Sequence, residues 1–294
     1  MSVPGTSSPY VKGLLTVGFI AALWAGVIGL LWAVEQQRPP SVRAAELAYL
    51  PKGEYLKVAV LGYRQMAADL IWLQAVQHLG ALKGSEEGYR WAYHAVDVVT
   101  DLDPQFWFAY LAAGTILGLH AGMPERSVAI LAKGMRHNPT VWQLPFFAGY
   151  DYFFELHDPT MAAKYFRIAA ELPGSPAYLP KLAARMTVQA GDPDAALEFL
   201  ERLYHQMADE RLREGLAYRM KEVTAERDIK ILEEAVRRYQ ARTGKLPNRL
   251  EDLVASGLLM TIPQEPLGGS YSLDASSGAV TSSGLFERLR VHQK

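Results

Sequence analysis

Three prolines constrain this chain more than any other feature. Pro104, Pro139 and Pro173 lie 35 and 34 residues apart, in the tripeptides Leu102-Asp103-Pro104, His137-Asn138-Pro139 and Glu171-Leu172-Pro173. Proline cannot continue a helix, so each marks a stop. Shorter breaks fall around them at residues 80–85, 122–124, 157–159 and 191–193, each containing Gly or Pro. Between breaks, apolar residues recur at spacings of three and four until about residue 243. The unit is therefore helix, short turn, helix, proline. One helix pair cannot bury both its faces, so such units stack and share a continuous core.

Small and bulky residues keep phase with the prolines. Ala92 and Val96 precede Pro104; Ser127, Leu131 and Gly134 precede Pro139; Ala162, Phe166 and Ala169 precede Pro173. In a fourth unit, Asp192-Pro193-Asp194-Ala195-Ala196 opens a second helix that continues to Phe199. Gly114 and Gly149 sit midway along first helices. With its period near 34, this pattern resembles the tetratricopeptide repeat (TPR) family over residues 55–207. The resemblance implies an α-solenoid whose concave face, lined by first helices, binds protein partners. The first unit departs from it, because its first helix, read over residues 57–79, is too long.

Residues 13–34 carry no charge, between Lys12 and the pair Glu35 and Arg38. About 20 apolar residues span a bilayer core as a helix. Tyr10 and Trp32 stand near the two expected interfaces. The competing readings are a cleaved signal peptide, which has a shorter apolar core and a small-residue cleavage site, and a buried core helix. The division is then 1–35 tail and transmembrane anchor, 36–54 linker with Pro39, Pro40 and Pro51, 55–207 repeats, and 208–294 C-terminal module. Lys12 against Arg38, Arg43 and Lys52 would put the body in the cytoplasm by charge count, but long domains follow that rule poorly.

From residue 208 a long charged helix, or two in sequence, runs to Thr243 with Ile229, Leu232, Val236 and Tyr239 on one face. Gly244 and Pro247, a short helix over 248–256, a loop with Pro263, Pro266 and Gly268, and a hairpin at 271–273 and 279–281 follow. This order resembles the globular part of type II secretion major pseudopilins, through Ala235, Val236, Tyr239, Gly244, Pro247, Leu253, Pro263, Pro266, Gly268, Tyr271 and Gly278. Glu265-Pro266 replaces the usual Asp-Pro, and residues 13–34 lack the glutamate of a prepilin. The chain should not polymerise as a pilin. The resemblance implies a docking unit on the periplasmic side of a bacterial inner membrane, in a secretion or pilus-type machine. The expected fold class is mainly α: one transmembrane helix, a TPR-like solenoid of helix pairs, and a small α+β module.

Chemistry is mostly sought in vain. There is no cysteine, hence no disulfide, thiolate site or cysteine nucleophile, and 30 Lys and Arg balance 31 Asp and Glu, giving no push toward nucleic acid. No phosphate loop, HExxH or GxSxG is present. His94 and Asp97 stand one turn apart, without a third ligand, as a surface pair does. His78, His120 and His157 each fall near the end of a first helix. A row of metal or haem ligands competes with a simpler reading, donors near negative helix ends; repeats about 10 Å apart are too widely spaced to share one ion. The expectation is a non-enzymatic, membrane-anchored scaffold for protein partners, with no cofactor. A structural subunit of a larger membrane complex, or a cofactor-binding protein using aromatic first helices, are the alternatives. In the aromatic stretch 142–154, Trp142, Phe146, Gly149 and Phe153 share one face and Phe147, Tyr150 and Phe154 an adjacent one, and both are expected to be core. Partner-binding candidates are Tyr110, Tyr150, Tyr152, His120 and His157.

Overall fold

The computed structural model describes residues 9–37, 50–81 and 86–289, with side chains at 9–17, 34–37, 78–81 and 87 outside the description. The connector at 38–49, the break at 82–85 and the side chain of His78 therefore lie outside the described residues. Two compact units divide the chain, residues 1–51 and 52–294. The first contains α1 (Pro9–Gln37), whose described side chains, at 18–33, are all exposed and include Phe19, Leu23, Trp24, Ile28, Leu31 and Trp32. Among the described residues, no helix is long and apolar enough to cross a membrane.

The second unit begins with α2 (Gly53–Ala59) and continues through four antiparallel pairs of helices. These are α3 (Arg64–Ala81) with α4 (Glu86–Leu102), α5 (Trp107–Leu119) with α6 (Pro124–His137), α7 (Gln143–Phe154) with α8 (Pro159–Glu171), and α9 (Leu179–Gln189) with α10 (Pro193–Gln206). α4, α6 and α8 end just before Pro104, Pro139 and Pro173, where the prolines require it. Second helices start on a proline, Pro124, Pro159 and Pro193, whose missing N–H costs nothing in the first turn. Asp158 and Asp192 accept hydrogen bonds from the backbone N–H of Met161 and Ala195, both at 2.9 Å, which fixes two of these starts.

Small residues set the closeness of each pair. A Cβ on Gly114 would overlap the side chain of Leu131, one on Gly134 would overlap Cβ and Cγ of Tyr110, and one on Gly149 would crowd Phe166. Each glycine thus receives a bulky side chain of its partner helix. The expected first helix over 57–79 is corrected by the structure: it is divided at residues 60–63, where Leu61 and Gly62 take positive φ values of 47° and 97°. Those angles lie outside the helical range, and Gly62 adopts its angle without steric cost.

α11 (Glu210–Thr243) is one helix rather than two and belongs to two cores. Its Leu216 and Val223 pack with Phe153, Phe166, Phe199 and Leu203 of the repeats. Its Ile229, Leu232 and Val236 pack with Leu253 and Val280. Gly244, at φ 76°, ends it in the left-handed cap glycine permits. α12 (Glu251–Ala255) is shorter than expected, because Asp252 accepts from the N–H groups of Asn248 and Arg249 and holds them as a turn. β1 (Tyr271–Leu273) and β2 (Val280–Ser282) form an antiparallel hairpin, Tyr271 opposite Ser282.

Candidate protein-binding surface

The first helices α5 and α7 each leave one apolar stripe at the surface. On α5 it runs through Phe108, Leu111, Thr115 and Leu119, and on α7 through Phe147, Tyr150 and Phe154. Both follow the spacing of a single helix face, and the two helices are in direct contact. Phe108 and Phe154 are 50% and 43% exposed, high for rings so large. The stripe is held rather than loose: the rings of Tyr150 and Phe154 lie 4.5 Å apart, and Trp72 of α3 meets Phe108 edge-on at 6.2 Å. Of the two aromatic faces on α7, one is buried at Gly149 and Phe153 and half-buried at Trp142 and Phe146, and the other is half-buried at Phe147 and Tyr150 and exposed at Phe154. The expectation that both are core is corrected at Phe154, which is exposed near the end of α7.

The sequence candidates separate on this geometry. Tyr110 is fully buried; its hydroxyl donates toward the carbonyls of Thr100 and Pro104 at 3.4 and 3.3 Å, and burial pushes its pKa up to about 12. It is a core residue and leaves the set, since no partner reaches it. Tyr152 is half-buried and stacks on Tyr165 of α8 at 5.4 Å, so it turns inward rather than toward solvent. Tyr150 stays on the open stripe. His120 and His157 are exposed at the ends of α5 and α7. Among the described residues no group of three or more His, Asp or Glu is placed to hold a metal. Asp97 does not act with His94 alone: Lys133 donates to Asp97 and Asp101 at 2.6 and 2.8 Å, tying α4 to α6.

Several buried polar contacts escaped the sequence reading. Glu226 of α11, 5% exposed, accepts both from Arg288 Nε at 2.9 Å and from the backbone N–H of Leu289 at 2.7 Å. Glu265, the departure from Asp-Pro, has a task of its own. Its carboxylate accepts from the N–H groups of Leu267 and Gly269 and from the Ser282 hydroxyl, locking the loop to β2. Tyr271 donates to Asp228 at 3.0 Å, joining β1 to α11.

Asp151 of α7 is 2% exposed and lies 2.5 Å from the Ser127 hydroxyl of α6, which also contacts the Gly114 carbonyl of α5 at 2.8 Å. The Ser127 hydroxyl has one proton to share between these two oxygens, and its bond to Asp151 favours the carboxylate against the opposing effect of burial. Burial, with a smaller contribution from Glu155, raises the Asp151 pKa to about 6. A carboxyl with a raised folded-state pKa contributes stability that is complete below its unfolded value and lost as pH rises through about 6. The unfolding free energy should therefore fall by on the order of 2 kcal/mol from pH 4.5 to pH 7.5 through this group. Urea denaturation across that range checks it, and Asp151→Asn should flatten the dependence.

Compared with known proteins, the chain matches no family model and no curated protein sequence.

Proposed function

We propose that this chain is a non-enzymatic, membrane-anchored scaffold of TPR-like repeats that binds protein partners on the open stripes of α5 and α7. The observation that carries this reading is the pair of aromatic and aliphatic stripes on contacting helices, with Phe108, Leu119 and Phe154 exposed and Leu111, Phe147 and Tyr150 half-buried. Adjacent apolar stripes on helices suit an amphipathic segment laid across them. The uncharged run at 13–34 supports the anchor, and the order of features after residue 208 supports a docking role in a bacterial secretion or pilus-type machine. The inner membrane, with the body on the periplasmic side, is the compartment this reading assigns.

Photoreactive residues at positions 147 and 150, in the native cell, should capture the same partner, whereas position 260 on the distant module should not. The double variant Phe147→Ala, Phe154→Ala should weaken binding of that partner about tenfold or more. Equal capture from all three positions would reject the surface. Alkaline phosphatase fused after Lys294 should be active in the same strain; an inactive fusion rejects the periplasmic body.

A further inference from the structure

We propose that the outward face of α2 and α3 rests on a phospholipid surface as an interfacial patch; this builds on the anchored reading above. Burial in these two helices differs from that in α4, which packs against them. The fully buried residues are small, Gly53, Ala68 and Ala75, with Gly53 seated against Asp101, while Leu56, Ile71 and Trp72 are half-buried. The residues turned outward are large: Tyr55, Val58, Leu61, Met66, Leu70 and Leu73, each more than half exposed. α4, packed against α3, does the opposite and buries Val96, Val98, Val99 and Leu102. Small residues between helices with large apolar ones outside is the arrangement that suits a lipid-facing helix. An apolar patch of this extent on a water-facing body marks an interaction site.

Leu61 sharpens the point. It holds a left-handed backbone at φ 47°, which leucine rarely adopts, and its side chain is 85% exposed. Within the described structure this side chain gains almost no packing in return.

Two features select lipid over another occupant. From Leu70 to the end of α3 no residue carries a formal charge apart from His78, if protonated, so the patch is apolar along most of its length. Over residues 36–69 the five cations Arg38, Arg43, Lys52, Lys57 and Arg64 outnumber the three acids Glu46, Glu54 and Asp69, a balance suited to anionic headgroups. Apolar helices with basic borders lie in the interfacial plane by this same balance.

The chain has no cysteine, so single nitroxide labels can be placed without background. The full chain would carry Val58→Cys, Leu70→Cys or Leu73→Cys, with Trp24→Cys in the anchor and Met260→Cys far from the patch as references. It is reconstituted in vesicles of phosphatidylcholine and phosphatidylglycerol. At 58, 70 and 73, as at 24, collisions with oxygen should exceed those with a water-soluble nickel chelate, and the order should reverse at 260. Nickel dominating at 70 and 73 while oxygen dominates at 24 overturns the proposal and leaves the anchor standing. Labels at 70 and 73 shielded from both reagents also overturn it, since protein then covers the face. Nickel dominating at 24 removes the anchor and the proposal together.

Discussion

Arg288→Ala is expected to destabilise the second unit by about 3 kcal/mol, because it leaves Glu226 buried without its counter-charge. The pair joins α11 to residues 62 positions further on, and the backbone N–H of Leu289 binds the same carboxylate. Leu289 is itself buried in the repeat core, so the loss should extend beyond one ion pair. Arg288 remains 30% exposed, which keeps the expected loss at the lower end for a broken buried pair. Urea denaturation of the full chain provides the measurement. The double variant Glu226→Gln, Arg288→Met should recover much of the loss, since the amide removes the uncompensated charge and keeps an oxygen to accept from the Leu289 N–H. If Arg288→Ala shifts the midpoint no more than Arg238→Ala, an exposed arginine on the same helix as Glu226, the tether contributes nothing.

Gly134→Val should cost about 3 kcal/mol or more, the upper range for overpacking a closed core. The added carbons would meet Cβ and Cγ of Tyr110, which sit close to that residue's backbone and cannot swing away. Tyr110 is fixed by full burial and two hydroxyl contacts, so α5 and α6 would have to separate. Gly122→Ala makes a useful contrast: no atom lies near its Cβ position, so only its backbone angle of 60° opposes the change. Denaturation midpoints of the two variants should differ clearly, with Gly134→Val the weaker.

The helix pairs were legible because their signals are local. Pro104, Pro139 and Pro173 stop helices wherever they fall, and Asp158 and Asp192 cap the turn that follows them. The glycine contacts were legible for a related reason, since Gly114 and Leu131 keep a fixed separation inside one unit. The surface was harder. A helix wheel shows that α7 has two aromatic faces, but how far each is covered depends on the angles at which α5, α6 and α8 approach. Tyr110 misled for the same reason: its ring suits a binding face, and only the packed carbonyls of Thr100 and Pro104 reveal where its hydroxyl goes. The break at Leu61 was masked by apolar spacing that runs on through it. The polar tethers were beyond local reading, because Glu226 and Arg288, or Ser127 and Asp151, meet only after the chain has folded.

The tether at Glu226 also has a consequence for timing. Helix pairs in a repeat array can close one after another as the chain is synthesised, each needing only its neighbours. The core around Phe199 and Leu203 is different, since it takes in Leu289. That core stays incomplete until residue 289 has emerged, long after α10 is made. The first two pairs are thus free to settle while the nascent chain is still growing, whereas the core shared by the third and fourth is completed only by a segment roughly ninety residues beyond Phe199.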